Sequence, residues 1–335
     1  NSTNSIVSDQ YVDDVFKNYY GTTLNLNEFQ NKIDTIKKRY ESEGYSLARI
    51  KGPDRINENG IVKLNVTEGI VSDVQLRFLG TDGESSIDGE PRKGKTKDWV
   101  IKRELKTQPG SIFNRKILEA DIRRLYATSL FDDVKVSLGP DSSNPGRVII
   151  FLDLSEQRTG SLTGGLGFSK SSGIFASLGL QETNALGRAW STNLNLNFGE
   201  YSTTYNFSLS DPWIKGDKHK TSFKTNLFLS RDYPQEFKSE TNGRIYAVDD
   251  TNTSTSDTFS SIVLEKTGGG FSFLRPLNGG DPFKVAKWRI LAGMNFKKVK
   301  MIDGDGNQKP YGDMTPTTGN INDIICIGFT PNDGS

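Results

Sequence analysis

Residues 190–210 read Trp-Ser-Thr-Asn-Leu-Asn-Leu-Asn-Phe-Gly-Glu-Tyr-Ser-Thr-Thr-Tyr-Asn-Phe-Ser-Leu-Ser, and this stretch decides the fold class. Trp190, Thr192, Leu194, Leu196 and Phe198 alternate with Ser191, Asn193, Asn195 and Asn197. After them, Tyr201, Thr203, Tyr205, Phe207 and Leu209 alternate with Ser202, Thr204, Asn206, Ser208 and Ser210. Successive side chains of a strand point to opposite faces, so each run is a strand with one apolar face and one hydroxyl- or amide-bearing face. Gly199-Glu200 is a two-residue link suited to a tight hairpin.

The same period extends in both directions. Leu162, Gly164, Leu166 and Phe168 alternate with small or polar partners, and Trp288, Ile290, Ala292, Met294 and Phe296 alternate with Lys287, Arg289, Leu291, Gly293 and Asn295. Runs of about ten residues exceed the usual five or six and match a tilted strand crossing a bilayer. Short links (Thr183–Gly187, Asp211–Lys218, Arg275–Lys284) alternate with links of variable length, two of them long (Asp232–Thr258, Met301–Asn320). Up-and-down strands place the long links on one side, as in outer-membrane barrels. About eight strands are expected, the last at Ile321–Phe329. A soluble β-sandwich would alternate in the same way. Strand length, loop asymmetry and aromatic residues at strand ends (Trp190, Phe198, Tyr201, Trp213) favour the barrel, the one sheet that lipid permits.

Upstream of about residue 158 the periodicity is mixed and one order of elements occurs twice. Asp9–Lys17 and Leu26–Glu41 read as helices, the second with Phe29, Ile33, Ile36 and Tyr40 on one face and Gly44 at its end. Leu47–Lys51 and Ile61–Val66 read as strands. In the second copy Val71–Leu79 is a strand with Val74, Leu76 and Phe78 on one face, followed by a short helix at Trp99–Leu105 with Asp98 as its N-cap. Asn114 caps a longer helix carrying Leu118, Ile122 and Leu125, and strands come next at Val134–Leu138 and Arg147–Leu154. A β-α-α-β-β order found twice is an internal repeat, each copy a three-stranded sheet with two helices on one face.

Composition narrows the functions. Among 335 residues the net charge is +1, so no global basic field recruits nucleic acid. A single cysteine, Cys326, excludes an intrachain disulfide, and a single histidine, His219, argues against histidine-dependent catalysis or zinc chemistry. Glycine, 34 of 335, exceeds its usual ~7% share, mostly after residue 159. Neither Gly164-Gly165-Leu166-Gly167 nor Gly268-Gly269-Gly270 has the Lys-Ser/Thr ending or strand-turn-helix context of a phosphate loop. Asp303-Gly304-Asp305-Gly306-Asn307 opens like a calcium loop, but Met314 stands where the acidic ligand belongs, so a solvated loop is expected. His219, between two lysines, reads as a surface residue at a turn, and Cys326 as a packing residue. No nucleophile–base pair or carboxylate dyad is visible, so neither an enzyme nor a cofactor is expected.

The junction between the halves carries the most specific wording. Glu156-Gln157-Arg158-Thr159-Gly160-Ser161 leads into Gly164-Gly165-Leu166-Gly167-Phe168, then Gln181-Glu182-Thr183-Asn184-Ala185-Leu186-Gly187, then Ser210-Asp211-Pro212-Trp213. This succession resembles the entry into the barrel of the BamA superfamily, outer-membrane proteins with periplasmic POTRA repeats of β-α-α-β-β order and a 16-stranded barrel. Asp211-Pro212-Trp213, the strand end Gly268–Pro276 and the wording of residues 220–235 look most like the cyanobacterial branch, related to the import channel of the chloroplast envelope. The resemblance implies α+β POTRA repeats at residues 1–70 (opening strand missing) and 71–157, then the N-terminal half of a transmembrane antiparallel β-barrel at 158–335. It also implies a fragment, since the family's later strands and their Arg-Gly-Phe/Tyr loop have no counterpart here.

In function, the resemblance implies an outer-membrane protein with its POTRA domains in the periplasm, assisting the folding and insertion of other barrels. Its partners would be unfolded barrel precursors, outer-membrane lipid and periplasmic chaperones or accessory proteins, with no nucleic acid. An extended client could add a strand to a POTRA sheet edge, for which the candidates are Leu47, Ala48, Arg49 and Ile50 in the first repeat and Val134, Lys135 and Val136 in the second. Gly160, Gly164, Gly165, Gly167 and Phe168 lie on the first barrel strand, where glycine weakens pairing and where the family has its lateral gate. Curvature of the wall is an equal explanation of those glycines. The alternatives are a secretion channel of the same superfamily and a soluble β-rich adhesin or carbohydrate-binding protein.

Overall fold

The computed structural model describes residues 6–52, 62, 64–144, 146–169, 172–233, 246–249, 259–261, 263–302 and 314–316. They fall into two units, residues 1–158 with Leu186–Ala189, and residues 159–185 with 190–335.

The first repeat starts with helix α1 (Asp9–Phe16), where the Ser8 hydroxyl accepts the Tyr11 amide, and continues through a 3-10 turn (Lys17–Tyr19). Helix α2 (Leu26–Ser42) starts where the Asn25 side chain accepts the Asn27 and Glu28 amides, satisfying donors the first helical turn leaves free. It buries Ile33, Ile36 and Tyr40 and stops at Gly44, whose φ of +100° ends helices readily. Strand β1 (Arg49–Lys51) pairs antiparallel with β2 (Asn65–Thr67). The expected strand Leu47–Lys51 is therefore shorter: Leu47 sits in a turn and packs against the core of the second repeat, while Ala48 is buried with Val7, Ile36 and Tyr40. Of the expected strand Ile61–Val66, residues 61 and 63 lie outside the described residues, and the pairing runs over Asn65–Thr67.

The second repeat runs β3 (Ile70–Leu79), a small hairpin of β4 (Ser86–Ile87) and β5 (Glu90–Pro91), α3 (Asp98–Lys102), α4 (Arg115–Ala127), β6 (Phe131–Pro140) and β7 (Arg147–Glu156). The sheet order is β3-β7-β6, with β3 parallel and β6 antiparallel to β7. Its core gathers Val71, Val74, Phe78, Val100, Ile101, Leu118, Leu125, Val134, Ile150, Leu152 and Leu154. A register shift between Val71 and Asp73 lets Val71 and Val74 both point inward, which strict alternation forbids. Asn114 caps α4 as expected, accepting the Ile117 amide at 3.2 Å. Asp98 does not cap α3: it is the first helical residue and Lys97 precedes it, so the carboxylate acts through the helix dipole. Beneath α4, the fully buried Asp121 carboxylate accepts the Lys106 and Thr107 amides at 3.0 and 2.9 Å and pairs with Arg124.

The second unit is built on a seven-stranded antiparallel sheet. Its strands are β8 (Gly160–Ser169), β9 (Gly173–Ala185), β10 (Trp190–Gly199), β11 (Ser202–Asp211), β12 (Ser222–Asp232), β15 (Val263–Pro276) and β16 (Arg289–Ile302). Each pairs with the next in the order β8-β9-β10-β11-β12-β15-β16. Three short strands, β13 (Tyr246–Asp249), β14 (Phe259–Ser261) and β17 (Met314–Pro316), form a separate sheet, with β13 and β17 inside the long links the sequence predicts and β14 just past the first of them. The expected strand Ile321–Phe329 lies outside the described residues. The hairpin link is Glu200-Tyr201, one residue later than expected, because Gly199 still belongs to β10. Two links on the side of the long loops are short, at residues 170–172 and 200–201, so the asymmetry rests on the β12–β15 link.

Cross-strand register sorts the side chains. Leu162 faces Leu180, Leu180 faces Leu194, Leu194 faces Phe207 and Phe207 faces Leu227. Further along, Phe223 faces Phe273, and Phe271 faces Met294. One face of seven strands is thus apolar. The other carries Asn193, Asn195, Asn206, Asn226 and Asn295 with serines and lysines. Nothing among the described residues covers the apolar face: Leu166 is 86% and Phe168 78% exposed. A sandwich would bury these side chains, so the face meets hydrocarbon. None of the described helices is long and apolar enough to cross a membrane.

Two turns at one end of the sheet are tied together. In residues 212–221, Asp211 accepts the Trp213 amide at 3.0 Å, the buried Trp213 indole donates to the Asp217 carbonyl at 2.7 Å, and the Asp217 carboxylate accepts the His219 and Thr221 amides. Asn278, in the β15–β16 turn, is buried and donates to the His219 carbonyl at 2.9 Å. Its side-chain oxygen lies 3.1 Å from His219 Nδ1. His219 stands at a turn as expected but is half-buried rather than a surface residue.

Candidate functional site

Of the open strand edges among the described residues, β6 and β8 carry most of the residues singled out by the sequence. The first is β6. On the opposite border of its sheet, the start of β3 is covered: Val71 exchanges backbone hydrogen bonds with residues 110 and 111 at 2.8–2.9 Å, and Ile70 bridges Ile112. Strand β6 pairs with β7 alone. Val134 is buried toward α4, Val136 half-buried on the same face, and Lys135 exposed on the other. The Tyr126 hydroxyl, reaching over from α4, donates to Asp133 at 2.9 Å and accepts the Val134 amide at 3.0 Å. That bond, with Lys135 alongside at 3.4 Å, holds the Asp133 carboxyl below the usual carboxylate range. Asp141, just past the strand, is also held low, first by the Ser72 hydroxyl and then by Asn144. Arg77 forks onto Asp153 at 2.6 and 3.0 Å and lies over the Phe151 ring, so the solvent face of this sheet is braced.

In the first repeat, of the four candidates Arg49 and Ile50 lie in β1, while Leu47 and Ala48 precede it. Sequence reasoning missed Tyr126. A tyrosine near the end of a helix gives no signal of its own until the helix is laid across the strand.

The second edge is β8, which pairs with β9 alone. Its glycines differ. A side chain at Gly164 would approach nothing closer than the Ser177 carbonyl at 3.8 Å, and at Gly165 the Ser177 hydroxyl at 3.3 Å, so the strand is bare there. Gly167 is covered instead: the Phe175 ring of β9 lies over it and a Cβ would meet the ring at 2.5 Å. Phe168 points to the apolar face beside Ile174. At Gly160 the nearest group is the Glu182 carboxylate, 3.4 Å from where a Cβ would lie.

Among the described residues no group of three or more histidine, cysteine or acidic side chains could hold a metal ion. Cys326 and the Asp303–Asn307 segment lie outside the described residues. What the two edges offer is main-chain hydrogen bonding rather than covalent chemistry.

An uncovered apolar sheet preceded by β-α-α-β-β repeats is the architecture of an outer-membrane β-barrel protein. Family comparison agrees along the chain: "POTRA domain, ShlB-type" matches residues 2–69, the POTRA family described as "Surface antigen variable number repeat" matches 83–157, and "Omp85 superfamily domain" matches 184–325. The chain belongs to the Omp85 superfamily, with POTRA domains. Outer envelope protein 80, chloroplastic, of Arabidopsis thaliana is 25% identical over 309 residues, 90% of this chain and 38% of that one. The outer membrane protein assembly factor BamA of Buchnera aphidicola subsp. Acyrthosiphon pisum is 30% identical over 198 residues, 57% of this chain and 31% of that one. The crystal structure of BamA from Haemophilus ducreyi lacking POTRA domains 1-3 shares the fold, with a TM-score of 0.50 at 20% identity over 88% of this chain and 50% of that one. This chain spans less than half the length of these curated relatives.

Proposed function

We propose that the protein assists assembly of other β-barrels in the outer membrane, taking unfolded precursors at the β6 edge and passing strands to the β8 edge. The observation that carries the reading is the open border of β6 beside a half-covered β3. A strand added there pairs through its main chain, which demands little of its sequence, while Val136 and the exposed Leu138 offer apolar contact on one face. A client with period-two apolar residues fits such an edge, and transmembrane strands have that period. Unfolded precursors, outer-membrane lipid and periplasmic chaperones or accessory proteins are its partners on this reading, and no step is chemical. The domain boundaries that go with it are 1–70, 71–157 and 158–335.

Depleting the protein and taking a census of the other outer-membrane barrels tests this. Loss of many barrels is expected. An intact census with one exported polypeptide missing from the cell surface would instead establish the secretion reading, to which the same parts are suited.

The bare stretch of β8 gives a second expectation. Valine at Gly164 and Gly165 meets no backbone clash and raises strand propensity by about 1 kcal/mol at most per site, so the double variant folds. If a weakly held β8 is what admits new strands, insertion of a reporter barrel slows severalfold in that variant. An unchanged insertion rate would leave the glycines to the curvature of the wall.

A further inference from the structure

We propose that Tyr126 and Pro140 confine the docking edge of β6 to Val136 and Leu138, so that an incoming strand is accepted in one register. The proposal rests on the reading of β6 as the docking edge and names the residues that limit it. In an antiparallel pair, alternate residues turn their N–H and C=O toward the neighbouring strand and the rest turn outward. Two hydrogen bonds settle which is which here. The Asp141 amide donates to the Arg147 carbonyl at 3.2 Å, across to the chain entering β7, so odd-numbered positions face β7. The Val134 amide donates to the Tyr126 hydroxyl at 3.0 Å, off the ladder, so even-numbered positions face outward. No register shift occurs between Asp133 and Pro140 to reverse this parity.

The outward positions are then Val134, Val136, Leu138 and Pro140. Proline has no amide proton and is tolerated at Pro140 because that position faces away from β7. The Val134 donor is already occupied. Its partner is fixed in place, since the Tyr126 hydroxyl spends its own proton on Asp133. Two outward donors remain, on Val136 and Leu138. A guest strand that slid toward Val134 would have to break the Tyr126 bond and displace its ring, and one that slid past Leu138 would find no donor at Pro140. Edge strands elsewhere are blunted by proline and by covering side chains; here the two devices bracket a window.

The window also selects for shape. Side chains at Val136 and Leu138 lie on the α4 face and those at Lys135 and Ser137 on the solvent face, by alternation. A guest held in register therefore sets its apolar residues beside Val136 and Leu138 and its polar ones beside Lys135 and Ser137. A one-residue slip would reverse every side chain, and the two stops oppose that slip.

The test uses the full chain and a synthetic peptide with the sequence of residues 190–199 as the guest strand, with amide hydrogen exchange read residue by residue. Bound peptide is expected to slow exchange at Val136 and Leu138 and to leave Val134 unchanged. Tyr126→Ala frees the Val134 donor. Protection by peptide should then spread to Val134, and affinity should rise about fivefold, the equivalent of one further hydrogen bond of about 1 kcal/mol. Tyr126 is 41% exposed and α4 is held by Leu118 and Leu125, so the variant keeps its fold. Pro140→Ala should extend protection at the other end. Peptide protection of Val134 in the unaltered chain, or an unchanged map and affinity in both variants, would overturn the proposal while leaving β6 as the edge. Binding with no β6 amide protected would remove the edge reading itself and this proposal with it.

Discussion

Replacing Asp121 by alanine is expected to cost the second POTRA repeat about 3–5 kcal/mol, the range for breaking a buried ion pair. That is a large share of the roughly 5–15 kcal/mol that stabilises a typical domain. The carboxylate is 0% exposed and does three things at once. It accepts the Lys106 and Thr107 amides, the second of them buried and otherwise without a partner, and it pairs with Arg124. Arg124 in turn donates to the Glu104 carbonyl at 2.9 Å, so the segment after α3 hangs from α4 by this one group. Alanine strands two amides and a cation, and each loss adds to the last. Asparagine keeps an acceptor but not the charge, and should cost roughly half as much. Glu119→Ala on the same helix breaks only an exposed pair with Arg115 at 3.5 Å and should change stability by less than about 0.5 kcal/mol. Chemical denaturation followed by Trp99 fluorescence, in a chain whose Trp190, Trp213 and Trp288 are replaced by phenylalanine, separates the three variants. Equal midpoints for Asp121→Ala and Glu119→Ala would refute this account.

The second large effect is expected in the barrel sheet, at Gly270→Val. A Cβ at Gly270 would run into the Asn295 side chain and stand 2.8 Å from the Met294 carbonyl of β16. Its neighbours are no freer. At Gly268 the Cβ would strike the Phe296 carbonyl and the Phe228 ring, and at Gly269 it would lie 2.5 Å from the Asn226 carbonyl. The Met294 carbonyl cannot retreat without opening the β15–β16 ladder, so the substitution should cost about 3 kcal/mol, the upper end for overpacking. Refolding into detergent, read as the fraction that migrates as folded protein without heating, is expected to fall sharply. Gly164→Val, with 3.8 Å of clearance, should refold as the unaltered chain does. Poor refolding of both would mean that any glycine loss in this sheet is harmful, and the contact argument would fail.

The contrast between these glycines shows how far the sequence could be read. Period-two alternation made the barrel strands legible, because one face in lipid and one in water imposes a single pattern on every strand. The repeated element order was legible for the same reason, apolar spacing being set by the core each helix must cover. Contacts between distant segments left no such trace. Gly164 and Gly167 look alike in the sequence, yet one is bare and the other lies under Phe175. Leu47 and Ala48 read as strand residues, but burial against two different cores outweighed pairing. The β4–β5 hairpin is too short for periodicity to register, and Val71 and Val74 share the interior only through a bulge. At the β6 edge the candidates Val134, Lys135 and Val136 lie on an open border, while the Tyr126 hydroxyl that occupies Val134 is eight positions away in the chain.

The tie between the two turns has a mechanical consequence. Asn278 links the β15–β16 turn to the β11–β12 turn through His219, and Trp213 and Asp217 stiffen the latter from within. Tension applied to either hairpin is therefore shared by both, and β11, β12, β15 and β16 behave as a four-strand slab rather than as two ribbons. Such a slab resists being peeled one ribbon at a time, so this part of the wall can serve as the stiff wing against which a more compliant seam flexes.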